Sequence, residues 1–151
     1  MSKLGRYSAD RKKVETLSAS KTITVADCGT LFILSADQVT ASLPNASDAG
    51  KGWWAKFIMT ADIADGVLIA ATAGDGDNIH GVGLCSSGSG ADPSPAFPDG
   101  TNAQATHEAG GVDVITFHSA SSAGDQVELV CDGSNWFATA IAYDVNAISF
   151  D

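Results

Sequence analysis

The chain of 151 residues is 44% hydrophobic and only 17% charged, with 16 Gly and a net charge of −10. That length suits one domain with a real core, the apolar content excludes a disordered chain, and scarce Lys, Glu and Arg exclude a coiled coil. The charge is uneven. Lys3, Arg6, Arg11, Lys12 and Lys13 stand against Asp10 alone, so a +4 segment of 13 residues precedes a −14 body. Such a basic segment is a candidate tether for an acidic protein surface, whereas the acidic body repels nucleic acid and anionic membrane.

In chain order, residues 1–20 read as a basic N-terminal arm, extended or with a short helical turn over Arg11–Leu17. From Lys21 an all-β domain is predicted to run to residue 151. Thr22-Ile23-Thr24-Val25 alternates with period two and places Ile23 and Val25 on one face. Thr30–Leu34 is apolar on both faces and reads as a buried strand. Val39–Leu43 alternates again and stops at Pro44-Asn45, a turn signal that also accounts for the sequon-like Asn45-Ala46-Ser47. In Trp53–Met59, Trp53, Phe57 and Met59 share one face, and Lys56 lies on the other beside Trp54 and Ile58.

Val67–Ala71 is a further apolar strand. Residues 73–111 hold nine of the 16 Gly and three of the four Pro, and read as a long loop excursion, well beyond the ordinary connection of about 4–6 residues. Val112–Phe117 and Gln126–Cys131 are strands. The latter turns through Asp132-Gly133-Ser134-Asn135 into Trp136–Ile141, the strongest hairpin signal in the chain. Ala142–Phe150 supplies a last strand. Seven to nine short strands without a long helix or an internal repeat predict a single antiparallel β-sandwich or barrel, jelly-roll-like, rather than a solenoid or propeller.

Motifs for chemistry are sparse. Cys28, Cys85 and Cys131 form no Cys-x-x-Cys pair and read as free thiols in a reducing cytoplasm. No apolar segment follows the basic N-terminus as in a secretory signal, and Val67–Ala73 is too short to span a bilayer. Gly81-Val82-Gly83 lacks the third Gly of a dinucleotide fingerprint, and the serines at 86–89 form no nucleophile elbow. His118, Asp113 and nearby serines offer the parts of a triad without the spacing that would assign a nucleophile. Asp75, Asp77 and Asn78 are a weak oxygen-ligand candidate for Ca²⁺, but the distal bidentate Glu is missing and a solvated turn is the better reading. His80, His107 and His118 lack zinc spacing. No cofactor and no enzymatic activity are predicted. Neighbouring Trp53 and Trp54 point to opposite sides of a strand, so one serves a core and the other an interface or, less favourably, a sugar.

The run Gly124-Asp125-Gln126-Val127-Glu128-Leu129-Val130-Cys131-Asp132-Gly133-Ser134-Asn135-Trp136 resembles the C-terminal hairpin of small tailed-bacteriophage virion proteins. The upstream Thr22-Ile23-Thr24, Cys28–Leu34, Val39–Pro44, Trp54–Met59 and Ile115–Ser121 runs follow the same order, so the resemblance covers roughly residues 21–142. With the basic arm and small size, it is most similar to head-decoration (cement) proteins. The resemblance implies a virion structural protein on the outer capsid surface, synthesised in the host cytoplasm. Its implied partners are the major capsid protein and its own copies as a homotrimer or dimer, without nucleic acid or membrane. Lys3, Arg6, Arg11, Lys12 and Lys13 would dock the arm, and Trp53 and Trp54 are candidate interface residues. The alternative is a receptor- or glycan-binding module of a tail or head fibre.

Overall fold

Alternation of inward and outward side chains builds the longer strands, and β-branched and aromatic residues supply much of it. The computed structural model describes residues 12–64, 66–71, 79–87, 111–144 and 146–151. Their strands are β1 (Lys13–Leu17), β2 (Lys21–Thr22), β3 (Thr30–Leu34), β4 (Thr40–Ser42), β5 (Trp54–Met59), β6 (Val67–Ala70), β7 (Ile79–Ser87), β8 (Val114–Phe117), β9 (Gln126–Cys131), β10 (Trp136–Asp144) and β11 (Ile148–Phe150). A 3-10 turn at Val25–Asp27 and a four-residue helix at Ala46–Ala49 are the helical elements among the described residues. The described residues are mostly β.

The strands form a six-stranded sheet, β1-β3-β5-β9-β10-β7, and a five-stranded sheet, β11-β8-β6-β4-β2. From β1 to β6 the chain crosses to the other sheet after every strand and returns pointing the same way. Hence β1, β3 and β5 pair in parallel, as do β2, β4 and β6. β9 pairs antiparallel with both β5 and β10, while β10 pairs in parallel with β7. The expected antiparallel, jelly-roll-like arrangement is therefore corrected to two mixed sheets. A strand that returns after a crossover lies parallel to its predecessor, whereas a tight turn such as Asp132–Asn135 forces the antiparallel hairpin. The winding left no repeat to read, because its steps are unequal. Lys13 pairs with Thr30 and Thr30 with Ala55, steps of 17 and 25 residues.

Three local expectations change. Lys13–Leu17, assigned to the arm, is an edge strand of the six-stranded sheet. Ile79–Ser87, inside the Gly-rich stretch, is a nine-residue strand paired along β10. Val25 leaves the strand direction and is exposed, because Asp27 captures the Thr24 N–H and hydroxyl, each at 2.9 Å, and tightens the chain into a 3-10 turn. Residues 1–11, 72–78 and 88–110 lie outside the described residues.

Both sheets feed one hydrophobic cluster. Phe32, Phe57, Leu129 and Trp136 come from the six-stranded sheet, and Ile69, Ile115, Phe117 and Ile148 from the five-stranded one. Phe32 stacks on Phe57 with centroids 5.0 Å apart, and Trp53 meets Trp136 edge-on at 5.2 Å. Along β10 the usual size pattern is inverted. Beyond Trp136 the inward residues are Ala138, Ala140 and Ala142, whereas Phe137, Ile141 and Tyr143 point outward. The inward side is already occupied: a Cβ built on Gly81, the register partner of Ala138, would meet the Phe150 ring at 2.0 Å. Gly81 on β7, with no side chain, makes room for that ring.

Candidate functional site

The resemblance-bearing run divides into turns that hold β9 and β10 and a face that they present. Gly124 takes φ +107°, a left-handed value that an L side chain rarely adopts. Asp125 is buried and accepts hydrogen bonds from the Ser122 N–H at 2.9 Å and the Tyr143 N–H at 2.8 Å, tying the start of β9 to the end of β10. At the hairpin, Asp132 Oδ1 accepts from the Ser134 and Asn135 N–H groups, both at 2.8 Å. Those bonds, Asn135 foremost, hold its carboxyl below the usual carboxylate range. Gly133 has φ +94°, and its missing side chain lets the Lys51 stem approach within 3.1 Å of the Cβ position. These acids and glycines shape the backbone.

The outward face of the six-stranded sheet is mostly apolar. In register across the strands, one row runs Trp54, Val130, Phe137, His80. The next runs Val14, Leu31, Lys56, Glu128, Thr139, Val82, and a third Thr16, Ile33, Ile58, Gln126, Ile141, Leu84. Tyr143 continues β10 and is 63% exposed; Phe137 and Ile141 are 46% and 47% exposed. His80 stacks on Phe137 with centroids 5.7 Å apart. Lys56, Gln126, Glu128, Thr139 and Ile141 line a shallow depression at the centre. On the five-stranded sheet the outward rows are Thr22, Ser42, Ala70, Val114 and Thr40, Leu68, Thr116, Ser149. Small hydroxylated side chains suit a face in water; an apolar face of this extent marks an interaction site.

The two tryptophans part as their neighbouring positions predict. Trp53 is buried and donates its indole N–H to the Val25 carbonyl at 3.0 Å, so it is a core residue. Trp54 is half-buried on the outward apolar face, with the Lys12 ammonium 5.5 Å from its ring centroid. A sugar stacking on that side of the indole would have to displace Lys12. Gly29, at φ +80°, donates its N–H to the Trp54 carbonyl at 2.8 Å and packs against the indole.

Lys3, Arg6 and Arg11 lie outside the described residues, as do Asp75, Asp77 and Asn78. Lys13 is engaged within the fold: its ammonium donates to Asp27 Oδ1 at 3.0 Å. Lys21 donates to Glu15 and lies 3.6 Å from the same Asp27 oxygen. Burial by itself raises the Asp27 carboxyl, but the Thr24 N–H, the Lys13 ammonium, the Thr24 hydroxyl and the Lys21 charge outweigh it and lower it to about 2. For Lys21, burial opposes the charge, yet the Glu15 hydrogen bond and the two carboxylates raise it above its ordinary value. This cluster fastens β1 and β2 to the 3-10 turn.

His118 is joined to Ser149, not to Asp113. Its Nε2 is 2.7 Å from Ser149 Oγ, and the Ser149 hydroxyl donates to Asp151 Oδ2 at 2.7 Å. The serine has one proton for two neighbours: if it goes to the Asp151 carboxylate, Nε2 donates to Oγ rather than accepting from it as a general base would. Among the described residues, no group of three or more His, Cys, Asp or Glu is placed to hold a metal, and no helix is long and apolar enough to cross a membrane. In comparisons with known proteins, the chain matches no family model, no curated protein and no solved structure.

Proposed function

We propose that this chain is a non-enzymatic virion structural protein that decorates the outside of a tailed-bacteriophage capsid and reinforces contacts between major capsid protein subunits. The observation that carries this reading is the apolar outward face of the six-stranded sheet, set against the hydroxylated face of the five-stranded one. A virion structural protein needs broad contact, with the shell or between its own copies, more than a deep cleft, and repeated copies on a symmetric lattice convert modest single-site affinity into avidity. The two mixed sheets are read as a sandwich around their shared core, a rigid body on which that face is held. The phage-like Gly124-Asp125 and Asp132-Gly133 positions support the reading because they hold the strands that present Phe137, Ile141 and Tyr143.

The basic segment supplies electrostatic attachment to acidic capsid surface through Lys3, Arg6, Arg11 and Lys12, with salt-sensitive affinity. Lys13 serves the fold through Asp27, so removal of residues 1–11 leaves β1 whole. The test is co-sedimentation with expanded capsids that lack the protein, comparing the full chain with a chain lacking residues 1–11 over a salt series. The full chain pellets with capsids and the shortened chain loses occupancy, most of all at low salt. Unchanged occupancy removes the tether role; no pelleting of either chain, together with binding on a glycan array, favours the receptor-binding alternative.

A further inference from the structure

We propose that the outward face of the six-stranded sheet is a two-fold, self-complementary interface for a second copy of this chain. This rests on the virion structural reading above, assigns its apolar face to contact between copies, and leaves attachment to the shell to the basic segment. Among the described residues, the charged side chains of this face are Lys56 and Glu128 within the strands, directly opposite in register, and Lys12, just before β1, over Trp54. Lys56 and Glu128 lie on β5 and β9, the third and fourth of six strands, so the line between them is the midline of the sheet.

Consider a two-fold axis in the interface plane, parallel to the strands and along that midline. It sets Lys56 over the partner's Glu128 and Glu128 over the partner's Lys56. The same operation lays β1 over the partner's β7 and β3 over the partner's β10, so every strand is covered at once. Row positions are preserved, which brings Ile33 against the partner's Ile141 and Val14 against the partner's Val82. An isologous contact needs this kind of self-match, each patch meeting itself. Aligned sheets packed face to face at about 10 Å are an ordinary arrangement.

The area is adequate. Six strands at about 4.8 Å are roughly 29 Å across, and a six-residue strand is about 20 Å long, a flat projection of roughly 600 Å². Side chains standing off the pleat raise the accessible area toward the ~800 Å² per partner of a stable complex. Its central charges sum to zero and pair across the axis, so they add nothing to the repulsion between chains of net charge −10.

The test uses the full chain in sedimentation velocity, with far-ultraviolet circular dichroism confirming that each variant is folded. The wild-type chain sediments at twice its 15.3 kDa mass. Lys56→Glu places acid against acid, and Glu128→Lys base against base, so each variant alone loses self-association by about 100-fold or more. Mixed one to one, the two variants are complementary in both central pairs and form a heterodimer. A merely structural role for these residues would not produce that recovery. A monomeric wild type, a trimer, or a mixture that stays monomeric overturns the interface. Capsid co-sedimentation separates this outcome from the functional reading: a dimer that fails to pellet keeps the interface and defeats the capsid role, and a pelleting monomer does the reverse.

Discussion

Asp27 is the most exacting place to test how the N-terminal strand is held. Its carboxylate accepts from the Thr24 N–H and hydroxyl, each at 2.9 Å, and from Lys13 at 3.0 Å, with Lys21 at 3.6 Å. Asp27→Asn keeps the shape and removes the charge. The carboxyl lies at about 2, against an ordinary value of 3.8, and at 1.36 kcal/mol per unit that difference corresponds to roughly 2.4 kcal/mol. The Lys13 side chain is 53% exposed, so solvent screening reduces the expected effect to about 1–2 kcal/mol. The folded value lies below the unfolded one, so the unfolded chain binds the proton first as pH falls. The stabilisation is therefore full above the unfolded value of 3.8, declines as pH drops, and is lost below about 2. Urea unfolding followed by tryptophan fluorescence, at steps from neutral pH to pH ~2, measures the gap between wild type and variant. The gap should be about 1–2 kcal/mol at neutral pH and close in acid. A gap that persists undiminished at the acid end, or none at neutral pH, refutes the assignment.

Asp125→Ala leaves the Ser122 and Tyr143 N–H groups without their acceptor and should cost roughly 2–4 kcal/mol, read as a lowered urea midpoint; an unchanged midpoint means that the buried carboxylate is dispensable. Gly81→Ala drives a methyl into the Phe150 ring and should destabilise by about 1–3 kcal/mol, with partial recovery in Gly81→Ala combined with Phe150→Leu. Equal losses in the single and double variants contradict that packing. Cys28 is exposed, whereas Cys85 and Cys131 are buried, so a thiol reagent should label one cysteine rapidly in the native chain and all three in urea. Rapid labelling of more than one thiol in the native chain contradicts the burial.

Much of the strand content was legible because alternation is a local property. Trp53, Phe57 and Met59 do share the buried face, and Lys56 the other, as period two requires. The Asp132–Asn135 hairpin was equally legible, since Asp and Gly supply its turn by their own backbone chemistry. The interaction face was only half visible. Thr30–Leu34 showed apolar residues on both sides, but they read as a strand buried twice rather than as one buried side and one offered side. Phe137, Ile141 and Tyr143 were missed as surface residues because alternation tells which side chains share a face, not which face is inward. Their partners on the other face, Ala138, Ala140 and Ala142, look less like a core than they do.

The sequence by itself determined the +4 segment, the acidic β body, most strand positions and the hairpin, all of which depend on composition or on residues close in the chain. Tertiary structure decided the parallel winding, because crossovers of unequal length leave no period to detect. It also decided that Lys13 belongs to the fold, since its partner Asp27 lies 14 residues away. Finally, it decided which side of β10 is surface: Trp136, Ala138, Ala140 and Ala142 pack into the shared core, and Phe137, Ile141 and Tyr143 face outward. Local chemistry sets the strands; the volume available between the sheets sets what they show.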